Sequence, residues 1–194
     1  MICPMKLLYL LGVLYLLLSV SLLFSDVFLS TQKSPEPVVA TAPVISGNSW
    51  FAQMRPHCNS VEIDTQIQWT PPPANIDGVA YAAACYGLAG RIEQARRLIE
   101  GLQIGQRAYA AGILFNIAHP VADAGDDRSA GPMMRLTIQY QPDNYMALYH
   151  AGMSEYALGE SQFARIHLKR FLELYSAKDG WRQNAIDALS RLGN

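Results

Sequence analysis

The chain has 194 residues, of which 51% are hydrophobic and only 16% charged, and its formal net charge is −1. That length suits one domain plus a tail. The near-zero charge and the lack of any polybasic run argue against nucleic acid or an anionic surface as partner.

Residues 7–24 form an uncharged run. As a helix it would be about 27 Å long, close to the roughly 30 Å hydrocarbon core of a bilayer. Val27, Phe28 and Leu29 extend it past Asp26. Segment 1–30 is therefore expected to be a membrane anchor, in contact with lipid through residues 7–29. Lys6 and the free amine favour a cytoplasmic N-terminus with the rest of the chain outside. The competing reading is a cleaved signal peptide, but Ser19, Val20 and Ser21 fall inside the run and no A-x-A follows closely. Both readings export the C-terminal part. Segment 31–49, with Pro35, Pro37 and Pro43, reads as a flexible linker.

Segment 50–74 changes character. Trp50 and Phe51 open a short apolar stretch of about one helical turn. Val61, Ile63, Thr65, Ile67 and Trp69 then alternate with Glu62, Asp64, Gln66 and Gln68. Period two predicts an extended segment, lying as an N-terminal cover on the first helix that follows. Pro71, Pro72 and Pro73 stop it, and Asn75 or Asp77 is the expected N-cap of the next element.

From residue 75 to 194 the apolar spacing is helical. Residues 76–102 form a helix pair turning at Leu88, Ala89 and Gly90. Residues 105–118 supply the next helix, and Pro120 should kink or end it near Ala118. Residues 123–129 form a turn and acidic cap. That run lacks the ligand ladder of a calcium loop. Residues 133–140 continue a second helix, and Pro142, Asp143 and Asn144 cap a third pair over 145–159 and 160–175. Residues 181–192 give one more amphipathic helix, with Trp181, Ala185, Ile186, Leu189 and Leu192 facing inward.

Turn glycines stand at Gly90, Gly125 and Gly159, spaced 35 and 34 residues apart. A small residue precedes each in phase (Ala83, Ala118, Gly152). An alanine follows each in phase (Ala95, Ala130, Ala164), then an apolar side chain (Ile99, Met134, Leu168). Val79, Leu114 and Leu148 recur four residues before the small position. Agreement at one fixed period marks internal repeats.

On these residues the chain resembles the tetratricopeptide repeat family, whose period is about 34 residues. Glu155 stands where that pattern expects an aromatic, and Arg107 where it expects a proline. The resemblance implies an all-α solenoid of about three helix pairs with a C-terminal capping helix. It also implies a concave groove lined by the first helices. Carried over repeat by repeat, groove positions fall on Asp77, Ala80 and Ala84, then Phe115, Asn116 and His119, then Met146, Tyr149, His150, Met153 and Tyr156. The third set, rich in aromatics and methionine, suits an apolar peptide or a partner helix. The alternative is that these side chains pack on the C-terminal helix or the N-terminal cover.

Cys58 and Cys85 both lie in the exported part, which points to a disulfide closing a loop of about 28 residues. The alternative is two unconnected thiols, with Cys85 a small core residue. There is no nucleophile motif, phosphate loop or paired carboxylate frame. No catalytic residue, cofactor, metal or small-molecule substrate is expected, and the four histidines read as structural. The expected function is an envelope scaffold held at the cytoplasmic membrane, with its repeat domain extracytoplasmic (periplasmic) and binding proteins. Its alternatives are an accessory subunit of one obligate membrane complex, or a metal-dependent enzyme using His57, Cys58 and His119 or His150.

Overall fold

The same backbone bend closes three alternate helices. Gly90, Gly125 and Gly159 have φ of +73°, +82° and +77°, the left-handed region that glycine enters without steric cost. After each, an amide reaches back to a carbonyl five residues earlier: Arg91 N to Tyr86 O (2.9 Å), Asp126 N to Val121 O (3.2 Å), Glu160 N to Glu155 O (2.7 Å). This is the Schellman closure, which satisfies carbonyls that a helix end leaves free. The three glycines thus occupy equivalent bends.

The computed structural model describes residues 12, 13, 15–17 and 45–193. The chain divides into a unit over residues 1–42 and a unit over 43–194. In the first, the described residues Gly12, Val13, Tyr15, Leu16 and Leu17 are helical. The rest of the expected anchor and the linker up to residue 44 lie outside the described residues. No helix among the described residues is long and apolar enough to cross a membrane.

All regular secondary structure among the second unit's described residues is helical: α1 (Gly47–Met54), a 3-10 turn (Arg55–His57), α2 (Ile63–Trp69), α3 (Ile76–Leu88), α4 (Ile92–Glu100), α5 (Ile104–Asp123), α6 (Asp127–Tyr140), α7 (Tyr145–Ala157), α8 (Ser161–Leu174) and α9 (Gly180–Leu192). Side-chain caps start many of them. Ser46 accepts from Ser49 N, Asn75 from Gly78 N, Asp126 from Ser129 N, Asn144 from Ala147 N and Asp179 from Arg182 N. Each replaces a hydrogen bond missing at a helix start.

The repeating small positions do what their size permits. Ala83, Ala118, Ala95 and Ala164 are fully buried, and Ala130 nearly so. A methyl group on Gly152 would sit 2.7 Å from Leu168 Cγ, so α7 and α8 touch where only a hydrogen fits. α3 with α4, α5 with α6, and α7 with α8 pack as helix pairs. The pairs do not stack identically. α5 lies mainly along α3, whereas α7 lies along α6 and only lightly on α5.

Four expectations change. The predicted linker end at residues 47–49 is already the first turn of α1. The predicted extended segment is helix α2 over Ile63–Trp69. Ile63 and Ile67 are four apart, so one helical face carries both inward. Ile63 is buried and Ile67 packs on the core, while Val61 and Trp69 are 83% and 80% exposed. The covering role itself persists, carried by α1: Trp50, Phe51 and Met54 are buried, and the Phe51 ring packs tilted against Tyr81 of α3 at 5.4 Å. Third, α5 does not end near Ala118 but runs to Asp123 with Pro120 inside it. Pro120 lies in the last turn, so its missing donor costs one hydrogen bond near an end that the Gly125 turn closes anyway. Fourth, α9 turns Ala185 and Ala188 inward, while Ile186 is 41% exposed.

Candidate functional site

Cys58 and Cys85 are disulfide-bonded, with Cα atoms 4.9 Å apart. The bond joins the turn after α1 to α3. No thiolate remains at Cys58 to hold a metal, which removes the His57–Cys58 set as a metal site. His57 instead faces Glu62 at 3.6 Å.

Of the eleven positions assigned to a partner groove, Ala80 and Ala84 are fully buried and Asp77 accepts a hydrogen bond from Tyr109; the other eight divide into three groups. Phe115 and Met146 line an open cleft of about 480 Å³ with the turn from Gln141 to Tyr145, and Asn116 is exposed beside Phe115 on α5. Tyr149, Met153 and Tyr156 belong to a second core cluster with Leu168 and Phe171. Tyr149 is 5% exposed, packs edge-on against Trp181 at 4.9 Å, and accepts a hydrogen bond from Asn184 at 3.4 Å. Helix α9 thus covers this part of the surface. Burial raises the Tyr149 phenol above its usual range; Asn184 opposes the shift, and Asp127, Asp123 and Asp179 add to it.

The third group is His119 and His150, and with them stands Asp123. His119 and Asp123 are four apart on α5 and therefore share a face. His150 projects from α7 toward them. The donor atoms of the three side chains lie within 4.8 Å of one another. Nε2 of His119 is 3.8 Å from Asp123 Oδ2, and Nε2 of His150 is 3.7 Å from Oδ1. Both separations exceed a hydrogen bond, and both nitrogens are buried without a hydrogen-bond partner. Aromatic rings hold the imidazoles in place. Phe115 stacks on His119 at 5.1 Å, the two histidine rings meet edge-on at 4.8 Å, and Trp181 packs edge-on against His150 at 5.6 Å. Burial pushes the His150 imidazole down to about 4; His119 adds to the fall and Asp123 opposes it. His150 is therefore neutral near pH 7.

A further polar group sits inside the fold. Glu155 is fully buried on α7. Its carboxylate meets His167 Nδ1 at 2.7 Å and Arg135 Nη1 at 3.4 Å, and Arg135 also reaches Glu160 at 3.0 Å. This ties α6, α7 and α8 together.

Sequence reasoning missed two residues here. Asp123 read as part of a turn, although its i+4 spacing from His119 was a usable signal. Glu155 read as a departure from a repeat pattern, although an acid within an otherwise apolar helix asks for buried partners.

Comparison with known proteins finds no matching family model, no matching curated protein and no matching solved structure.

Proposed function

We propose that this chain is a membrane-tethered, tetratricopeptide-like scaffold that holds a protein partner outside the cytoplasm. The observation that carries this reading is the recurrence of one turn geometry at Gly90, Gly125 and Gly159. Helix pairs joined in that way leave a surface cleft between neighbours. Phe115 and Met146 come together in the cleft of about 480 Å³, which offers apolar contact to a peptide or a helix. The uncharged run at 7–24 supports the tether. The Cys58–Cys85 bond supports an oxidising compartment.

A photo-crosslinking residue at position 146 tests this in membranes. A discrete protein adduct formed there, and not from position 186 on the outer face of α9, supports the reading. Tyr145→Glu, at a 42% exposed position in the same cleft, should abolish the adduct while leaving the thermal midpoint within a few degrees of wild type. Equal labelling from both positions would remove the cleft from consideration. A second reading, an accessory subunit buried in one obligate complex, is favoured by the exposed Trp69 and Ile104. Poor solubility of the chain without its partner would distinguish it.

A further inference from the structure

We propose that His119, Asp123 and His150 bind one divalent transition-metal ion of the zinc type. The inference stands apart from the scaffold reading. It begins with donors that lack partners. His150 is 5% exposed, and its Nε2 has no hydrogen-bond partner. A buried polar atom left unmatched is costly. His119 Nε2 is in the same condition and lies on the same small volume. A cation between the two rings and the Asp123 carboxylate would satisfy all three groups at once.

The donor set selects the class of ion. Two imidazole nitrogens and one carboxylate oxygen suit zinc and its first-row neighbours; calcium and magnesium prefer oxygen alone. Ligand atoms held at about 2.0–2.1 Å around a tetrahedral zinc lie roughly 3.3–3.4 Å apart. The observed 3.7 and 3.8 Å separations run to different Asp123 oxygens, and the donor atoms are spread over up to 4.8 Å, so binding requires the ligands to close by about 1 Å or somewhat more at the widest pair. Asp123 and His119 can supply it, because their side chains are 46% and 32% exposed. The buried His150 ring, held against Trp181, would stay in place. Three protein ligands leave one coordination position open to water or a small anion. Because the ligands come from α5 and α7, bound metal would also brace the joint between two helix pairs.

The full chain, purified in detergent and stripped with a chelator, is titrated with zinc by calorimetry and with cobalt by visible absorption. The expected result is uptake of one equivalent, a cobalt spectrum of low coordination number, and a rise in thermal midpoint with zinc. Magnesium should do none of this. Asp123→Asn is nearly isosteric and at an exposed position, so the metal-free midpoint should not change. Its zinc affinity should fall roughly tenfold or more, as should that of His119→Gln; loss of an outer-shell partner alone costs 10–100-fold. His57→Gln should bind as wild type does. No uptake by wild type overturns the proposal. So does uptake that either Asp123→Asn or His119→Gln leaves unchanged.

Discussion

The first and third helix pairs share a turn and differ in what holds them. Around α3 the interface is built from small residues: Ala80, Ala82, Ala83, Ala84 and Cys85 are all buried, and a disulfide ties the covering segment to them. Around α7 the interface contains a buried carboxylate, two packed imidazoles and a chain of aromatic rings running through Tyr149 to Phe171 and Tyr175. The buried alanines and the disulfide themselves have nothing to titrate, so the first region should respond mainly to reductant. The second should respond to acid and to substitutions that leave a charge alone. One repeat geometry is therefore compatible with two kinds of cohesion.

The largest effect should come from breaking the third pair's charge network. Glu155→Ala leaves His167 without its partner beside a cavity, while Arg135 keeps Glu160; an unmatched buried polar group and a large-to-small core change together cost about 3–5 kcal/mol. Urea unfolding would measure it, and a cost near zero would mean that the network adds little beyond packing. Next is the first pair. Replacing both Cys58 and Cys85 with serine should remove about 3–4 kcal/mol, on the entropic account of a loop of this length. Wild type under reductant should match the variant.

The acid response is the sharper contrast. The folded imidazole of His150 is depressed from 6.5 to about 4, so the unfolded chain takes up the proton first. Stability from this group is complete above about pH 6.5 and drains away as the pH falls toward about 4. With chelator present the loss should reach about 3 kcal/mol at most. It should vanish in His150→Gln and persist in the cysteine double variant. A slope that the cysteine variant lacks would mean that the two regions do not differ as described. The smallest effect should come from Asn144→Ala, which removes the cap on Ala147 N and should cost about 1 kcal/mol. Asn75→Ala at the first pair should cost a similar amount, since the two caps are equivalent.

Turns and caps were legible in the sequence because one residue type does each job: glycine for positive φ, asparagine or aspartate for a free amide. The Cys58–Cys85 pairing was also legible, as a pair of cysteines in the same part of the chain. Helix α2 was not, because Ile63 and Ile67 fit a two-residue alternation and a four-residue helical spacing equally well. Pro120 misled because a local rule about proline ignores how near the helix end lies. The assigned groove positions come together only in part. Phe115 and Met146 reach the cleft, but Tyr149 and His150 are covered by α9, and that packing depends on where a separate helix settles. Asp123 and Glu155 were misread for a related reason: their partners come from other helices.

The disulfide also decides how a mechanical load would travel. Tension entering through α1 reaches Cys58 and crosses directly into α3 at Cys85. Residues 59–84, with α2 among them, lie off the load-bearing route. A stretched chain would pay out no length from that stretch until the sulfur–sulfur bond was cut, so a reducing environment would lengthen the chain under load as well as loosen the fold.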